Sequence, residues 1–211
     1  MGLKKISALM LTYNRLNLIE DSINCFLSQI YDNKELVIVN SGGTAYFTQV
    51  QAIINTFNVN NIKHIYVNKD DKKIGDLRNI AIQNASGDYL CTWDDDDIFS
   101  RQRLKAQAHF MRNFDYCMLS NFLLSIQDSM YSVEYSKGFE PSLMFKKELN
   151  ISYPSLSIGE DSYFISELEK KYNGIVINND KNDYIYRCSN DNISGYEHFK
   201  LILKNHKSKK I

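Results

Sequence analysis

The first half of the chain alternates short apolar runs with stretches whose apolar residues recur at helical spacing. Buried strands are predicted at residues 5–12, 35–39, 62–67 and 89–93, and a helix is predicted after each of them. The four helices are predicted at residues 16–30, 47–57, 75–85 and 101–112. Strict alternation of this kind is typical of right-handed βαβ units. We therefore predict an α/β fold with a mostly parallel sheet flanked by helices.

The pattern changes after about residue 114. A hairpin is predicted from strands at 116–126 and 130–135, and a short strand at 142–145 follows it. The remaining predicted elements are a helix at 162–172, strands at 174–177 and 183–187, and a closing helix at 195–206. We expect this smaller α+β half, residues 114–211, to pack beside residues 1–113 within a single domain.

The composition constrains size and excludes some partners. The 211 residues are 44% hydrophobic, which suits one domain with a full core. Lys plus Arg and Asp plus Glu each number 25, so no global charge favours a nucleic-acid partner. Residues 204–210 are strongly basic, and we expect a frayed, solvated terminus there.

The four cysteines are widely separated and form no CxxC pair. Cys25 and Cys91 fall on predicted buried faces, so reduced core thiols are expected rather than a zinc site. The N-terminus runs into a strand rather than a signal peptide, and no apolar stretch approaches the ~20 residues that span a bilayer. We therefore expect a protein without a transmembrane segment.

Four polar segments follow the predicted strands at their carboxyl ends. They are residues 12–15, 40–43, 70–75 and 94–97. In sheets built from βαβ units, ligands bind beyond the carboxyl ends of the strands, where these segments meet. Their convergence predicts a binding site at that edge of the sheet.

The last of these segments is a run of four aspartates, Asp94 to Asp97, directly after the apolar residues that end at Trp93. Adjacent carboxylates repel one another, most of all where little water screens them. Mg²⁺ and Mn²⁺ prefer carboxylate oxygens and usually share them with substrate phosphates. The run therefore predicts a metal–diphosphate site, and a solvated acidic turn is the alternative.

Several well-defined phosphate and metal motifs are absent from the sequence. There is no GxxxxGK[ST] P-loop and no GxGxxG after the first strand. An EF-hand is excluded because Ile98 and Phe99 stand where a ligand and a glycine are required. The four histidines are scattered, which argues against zinc hydrolase chemistry.

Several short segments, taken in order, resemble a known family. They are residues 8–15, 35–43, 74–81, 85–90, the aspartate run with Ile98, and 159–161. Over about residues 5–170 the chain resembles family 2 glycosyltransferases of the GT-A fold, which is Rossmann-like. The resemblance implies a nucleotide-sugar donor, usually a UDP-sugar, and a Mn²⁺ or Mg²⁺ ion. It also implies transfer to a hydroxyl of a glycan or glycoconjugate acceptor, with inversion at the anomeric carbon.

The resemblance also implies which residues would hold the nucleotide sugar. The nucleoside pocket would be lined by Thr12, Tyr13, Asn14 and Arg15. Asn40 and Ser41 stand where the family usually has an acidic residue that contacts the base, which leaves uracil specificity open. Arg78 would reach the base or the diphosphate, and an ordinary exposed helix arginine is the alternative.

The acidic run and a histidine would complete the donor side of the site. By position in the family, Asp94 and Asp95 would hold the ribose side and Asp96 the metal. Many family members add a histidine ligand after the last strands, which residues 186–194 lack. His198 is nearby and would substitute as a metal ligand, with a surface helix histidine as the alternative.

The pair Glu160 and Asp161 would be catalytic, with Asp161 resembling the general base of the family. A diphosphate is a good leaving group, so one carboxylate that deprotonates the attacking hydroxyl suffices. Glycosidases, in contrast, need a second carboxyl group to protonate the leaving group. The alternative is an ordinary acidic pair at a helix N-terminus, where the helix dipole favours negative charge.

Two other function classes stay open. A sugar nucleotidyltransferase also uses an α/β sheet and Mg²⁺, although the glycine-rich loop after its first strand is missing here. A non-catalytic nucleotide- or carbohydrate-binding module would keep the pocket without transfer. The chain is either a minimal enzyme or one module of a longer polypeptide, with residues 139–147 on the acceptor side. We expect it in the cytoplasm, and leave open its peripheral attachment to a membrane through the acceptor.

Overall fold

The computed structural model describes residues 2–70, 72–178, 184–188 and 195–211. Within these residues ten strands join in one mixed sheet. The strands are β1 (Ile6–Thr12), β2 (Lys34–Asn40), β3 (Ile62–Tyr66), β4 (Tyr89–Thr92), β5 (Ile98–Phe99), β6 (Tyr116–Ile126), β7 (Ser129–Lys146), β8 (Gly174–Ile177), β9 (Tyr184–Cys188) and β10 (Lys207–Lys210). The α-helices are α1 (Leu16–Leu27), α2 (Gly43–Thr56), α3 (Ile74–Asn84), α4 (Arg103–Phe110), α5 (Glu160–Lys171) and α6 (Gly195–Asn205).

The first half of the sheet has the parallel arrangement that the alternation predicts. Strands β3, β2, β1 and β4 lie side by side in that order, and all three pairings are parallel. In the central strand Ile6 lies opposite Lys34 on one side and Tyr89 on the other. The carboxyl ends of these strands therefore point to one edge, as expected for βαβ units.

The second half continues the same sheet through antiparallel strands. The long strand β7 pairs with β4, placing Lys146 opposite Tyr89, and also with β6 in the expected hairpin. The separate strand expected at residues 142–145 is the C-terminal part of β7. A single sheet thus contains strands of both halves, with β7 of the second half directly beside β4 of the first.

Helices cover both faces of the sheet because its central strands are apolar on both sides. Ala8 and Met10 of β1 pack into one cluster, with α1, α2, α4 and α6. Leu9 points the opposite way and packs with α3 and α5. Tyr89 and Trp93 are buried in the core, as the sequence predicts.

Some element boundaries and local expectations differ from the sequence predictions. The basic tail is exposed but not frayed: residues 207–210 form β10, antiparallel to β7. Helix α5 begins at Glu160, two residues earlier than predicted, because Gly159 adopts φ +76° and turns the chain into the helix. Cys91 is buried, whereas Cys25 is only half-buried. Residues 189–194 lie outside the described part of the chain.

None of the helices among the described residues combines the length and the apolar character needed to cross a membrane.

Candidate active site

The aspartate run forms a tight turn at the carboxyl end of β4. The Trp93 amide still donates to Leu9 O at 2.9 Å, and the Asp97 amide donates to Asp94 O at 3.4 Å. Asp95, Asp96 and Asp97 are 0%, 7% and 1% exposed. The alternative of a solvated acidic turn is therefore wrong for these three residues, whose charges need partners inside the protein.

Arg15 supplies one of these partners from the loop between β1 and α1. Its Nη2 lies 2.8 Å from Asp95 Oδ1, and its Nη1 donates to Asp96 Oδ2 at 2.6 Å. The loop bends sharply because Asn14 adopts φ +53°, a left-handed conformation that asparagine tolerates better than most residues. Arg15 was predicted to line the nucleoside pocket. In the structure its backbone lies in that loop, and its guanidinium reaches the carboxylates of Asp95 and Asp96.

Asp97 is held by β9, from the far end of the sequence. Tyr184 Oη donates to Asp97 Oδ2, and the Arg187 amide donates to Asp97 Oδ1 at 3.1 Å. Arg187 Nε also donates to the backbone oxygen of Asp96. Both carboxylate oxygens of Asp97 are thus bonded within the protein, so Asp97 shapes the turn rather than facing a ligand.

Burial dominates the proton affinities in the run. It raises the pKa of Asp94 to about 6, against the opposing effect of Arg78, and the pKa of Asp95 to about 7, against that of Arg15. Burial also raises the pKa of Asp97. A bound cation would offset the lost hydration and favour the ionised forms of Asp94, Asp95 and Asp97.

The residues of the run suit a hard divalent cation. Among the described residues no three acidic, histidine or cysteine side chains converge as a preformed metal cage. Mg²⁺ and Mn²⁺ do not require one, because they are commonly held by one or two carboxylates together with substrate phosphates and water. Neither oxygen of buried Asp95 has a hydrogen bond of good geometry, although Arg15 lies at ion-pair distance. Carboxylate oxygens with unfilled bonding capacity at this position fit such an ion.

A cleft beside the run joins the two halves of the chain. Arg78, Glu140, Tyr153 and Asp161 line it together with Thr92, Pro141, Leu143 and Ile165. Arg78 Nε donates to Glu160 Oε1 at 3.2 Å, and its guanidinium lies over the Tyr153 ring. Arg78 is therefore not an ordinary exposed helix arginine, since only 18% of its side chain is exposed.

The acidic pair at the start of α5 divides into two environments. Glu160 is 5% exposed and binds Arg78, whereas half-buried Asp161 lines the cleft. Asp161 Oδ1 accepts from the Ser162 amide at 2.8 Å. The geometry makes Asp161 the member of the pair that a substrate in the cleft can reach, and Glu160 the partner of Arg78.

Sequence reasoning did not single out Glu140, the second carboxylate of the cleft. Ser162 Oγ donates to its two carboxylate oxygens, at 3.1 and 3.2 Å. Burial raises the pKa of Glu140, and the nearby charge of Asp161 adds to this effect. No sequence signal marks the residue, because it lies within the long strand β7 and only the folded sheet brings it to α5.

The predicted nucleoside pocket lies at the ends of β1 and β2. Tyr13 is 46% exposed, and Lys69 Nζ lies 3.8 Å from the centre of its ring. Thr12 is buried, and its Oγ1 and Tyr46 Oη share a hydrogen bond of 2.6 Å. Tyr13 is thus the residue of this loop with an aromatic face available to a base.

Asn40 and Ser41 are both buried, so neither side chain is exposed for direct contact with a base. Asn40 is fully buried; its Oδ1 accepts from the Gly42 amide at 3.0 Å, and its Nδ2 lies 3.1 Å from His64 Nε2. Burial lowers the pKa of His64 to about 4, so the ring is neutral and accepts from Asn40. The Ser41 amide donates to Thr12 O at 3.1 Å, which joins the two loops. The role of both side chains at the base stays a prediction.

His198 lies on the exposed side of α6. Its ring meets the edge of the Phe199 ring, with the centroids 5.8 Å apart. Its assignment as a metal ligand stays a prediction.

Comparison with known proteins identifies the family. Residues 7–166 match the model of "Glycosyl transferase family 2". An uncharacterized glycosyltransferase of Rickettsia bellii is 29% identical over 121 residues, which are 57% of this chain and 16% of that relative. The chain therefore spans a small part of the length of this curated relative.

Solved structures share the fold at low sequence identity. Staphylococcus aureus TarS 1–349 in complex with UDP-GlcNAc has a TM-score of 0.74 at 18% identity, covering 93% of this chain and 64% of TarS. Mannosyltransferase PcManGT from Pyrobaculum calidifontis, in complex with GDP-Man and Mn²⁺, has a TM-score of 0.74 at 16% identity, covering 98% and 62%. The architecture is that of GT-A glycosyltransferases. The chain belongs to glycosyl transferase family 2.

Proposed function

We propose that the chain transfers a sugar from a UDP-sugar to a hydroxyl of a glycan or glycoconjugate, with a divalent metal ion and inversion at the anomeric carbon. The observation that carries this proposal is the buried aspartate run, which lies beside the cleft that contains Arg78 and Asp161. This proximity supports a site in which a cation held by the run and the carboxylate of Asp161 would act on one bound substrate.

A nucleotide-sugar donor suits the edge that the loops form. TarS and PcManGT, which share the fold, were solved with UDP-GlcNAc and GDP-Man. In this chain the base would stack on the exposed face of Tyr13, and the ribose would meet Asp94 and Asp95. Arg78, one turn into α3, would bind the diphosphate.

Asp96 would hold a Mn²⁺ or Mg²⁺ ion, with His198 as a further proposed ligand. When bound, such an ion supplies positive charge that stabilises the negative charge developing on the departing diphosphate. The fold neighbour PcManGT was solved with Mn²⁺. The chain's own contribution is to hold the turn in place: Arg15 contacts Asp96, and Tyr184 and Arg187 bind the neighbouring Asp97.

Asp161 would accept the proton of the acceptor hydroxyl as that oxygen attacks the anomeric carbon. A single displacement with the base opposite the leaving group inverts the configuration at that carbon. Glu160 would hold Arg78 in the cleft, and would therefore contribute through Arg78 rather than through the substrate. Residues 139–147, which include Glu140, would form part of the acceptor side.

We also propose that residues 1–113 bind the nucleotide and that residues 114–211 bind the acceptor, as two parts of one domain. We propose the cytoplasm as its location, and we propose that it attaches to a membrane there through its acceptor.

The proposal is tested by screening nucleotide sugars in thermal unfolding, with and without Mn²⁺, and then measuring transfer. A ligand at 100 times its Kd adds about 2.7 kcal/mol to the free energy of unfolding. We expect a UDP-sugar to raise Tm only in the presence of Mn²⁺, and UDP to be released when acceptor is added.

Two outcomes would favour the other function classes. Release of pyrophosphate from UTP and a sugar phosphate would indicate a nucleotidyltransferase. Metal-dependent binding without transfer to any acceptor in a glycan panel would indicate a non-catalytic module.

A further inference from the structure

Arg15 contacts Asp96, the carboxylate that we propose as a metal ligand. Its guanidinium reaches two carboxylates at once, at 2.8 Å from Asp95 and 2.6 Å from Asp96. Both carboxylates are almost completely buried, so little water screens the contact. In the folded protein the guanidinium of Arg15 thus neutralises part of the charge of both carboxylates.

The neighbouring arginines make different contacts. Arg187 binds the backbone oxygen of Asp96 and the side chain of Asp97. Arg103 is fully buried and donates to Thr92 O and Gln107 Oε1, at 2.8 and 3.1 Å. Arg187 thus holds the turn and Arg103 holds the end of β4, whereas Arg15 contacts Asp96, the carboxylate that we assign to the metal.

Arg15 is placed so that it can change partners. It immediately precedes α1, at the donor edge of the sheet, and 18% of its side chain is exposed. Tyr13, two residues earlier in the same loop, is exposed to an arriving nucleotide. A guanidinium binds phosphate oxygens in the same two-pronged geometry as carboxylates, so a diphosphate can replace Asp96 as its partner.

We propose that Arg15 holds the place of the metal in the free protein and moves from Asp96 to the diphosphate when the nucleotide sugar binds. The inference rests on the proposed function. A divalent ion and a guanidinium repel each other at such short range in a buried site. Metal and nucleotide binding are therefore coupled: the nucleotide draws Arg15 away, and Asp96 becomes available to the metal.

The test measures Mn²⁺ binding rather than catalysis. Electron paramagnetic resonance of unbound Mn²⁺ gives the Kd of the full chain with and without saturating UDP, for wild type, Arg15→Gln and Arg15→Lys. Arg112→Gln, an exposed arginine beyond the end of α4, is the matched control. Circular dichroism confirms that each variant is folded.

We expect UDP to tighten Mn²⁺ binding to the wild type at least tenfold. In Arg15→Gln the free protein should bind Mn²⁺ at least fivefold more tightly than wild type, and the effect of UDP should shrink by a similar factor. Arg15→Lys keeps a charge but loses the two-pronged contact, so its Kd should lie between those two values. Arg112→Gln should match the wild type.

Two results would overturn the inference, and they are distinguishable. If the wild type shows the UDP effect and Arg15→Gln shows it unchanged, the exchange of partners is wrong while the proposed function stands. If the wild type binds no Mn²⁺ with or without UDP, the metal-dependent donor site is wrong, and the inference fails with it. Should Arg15→Gln not fold, Arg15→Lys takes its place in the first comparison, and a Kd for Mn²⁺ and a UDP effect equal to those of the wild type would overturn the exchange of partners.

Discussion

Arg78 Nε and Glu160 Oε1 lie 3.2 Å apart, although 82 positions separate the two residues in the sequence. The contact joins α3, in the parallel half, to the first turn of α5, in the second half. Because Asp161 follows Glu160 directly, the same contact helps to hold Asp161, our proposed base, close to α3. This ion pair is thus one of the contacts that join the two halves at the cleft.

Replacing Arg78 and replacing Glu160 should lower the free energy of unfolding by different amounts. Arg78→Met leaves Glu160 buried without its cation, and should lower the free energy of unfolding by about 3 kcal/mol. Glu160→Gln keeps a hydrogen-bond acceptor for Arg78, and should cost about 1 kcal/mol. Urea unfolding of both single variants and the double variant measures their coupling. Single effects that add to within 0.5 kcal/mol would contradict an energetic link between the two side chains.

Asp161→Asn should reduce kcat by about 10³-fold, within the range that general-base catalysis contributes. The variant loses the proton acceptor but keeps the shape and the bond from the Ser162 amide to its Oδ1. The Kd for UDP with Mn²⁺ should therefore change less than threefold. Single-turnover transfer assays and calorimetric titration with UDP separate the two quantities, and a kcat near the wild-type value would refute the assignment of the base. Asp128→Asn, in the turn between β6 and β7, is the matched control.

Gly75→Ala should damage the site without touching a substrate. The Gly75 amide donates to Leu156 O at 2.9 Å, and a Cβ at this position would lie 1.9 Å from Pro154 O. The segment that leads into α5 must therefore move away from α3, at a cost of about 1–3 kcal/mol for overpacking. We expect a lower Tm together with a reduced kcat. Retention of wild-type Tm and kcat would show that this close approach is dispensable.

Acid stability should depend on Glu35, at the opposite edge of the sheet from the cleft. Its carboxylate accepts hydrogen bonds from Lys5, Ser7 and Ser86, and these bonds outweigh burial and lower its pKa from 4.5 to about 2. A lowered pKa stabilises the fold above pH ~4.5, and this stability is lost as the pH falls towards 2. At neutral pH the lowered pKa of Glu35 adds about 2–3 kcal/mol to the free energy of unfolding.

Glu35→Gln should therefore be less stable than wild type at pH 7, and the two should converge as the pH approaches 2. Urea unfolding between pH 2 and 7 measures this dependence, with exposed Glu20→Gln as the control. A gap between wild type and Glu35→Gln that stays constant with pH would show that the carboxylate charge is not the cause.

The local sequence pattern was sufficient to predict the strands and helices of the first half. It also predicted the edge of the sheet at which the polar loops meet. The alternation of strands and helices predicts the parallel pairing of β1 to β4, since it is typical of right-handed βαβ units. The same pattern places Asp94 to Asp97 beside the loops after β1 and β2. It could not show that Asp95 to Asp97 are buried, because their partners Arg15, Tyr184 and Arg187 lie far from them in sequence.

The α/β architecture, the position of the acidic run and the place of Asp161 at the start of a helix can all be predicted from the chain alone, because periodicity and turn chemistry act over a few residues. The contacts between distant side chains cannot: Glu160 binds Arg78, Glu140 joins Asp161 in the cleft, and Arg15 contacts Asp96 only once the chain is folded. Pairings of this kind depend on how strand β7 inserts beside β4, because that long-range contact brings the second half of the chain to the carboxyl edge of the first.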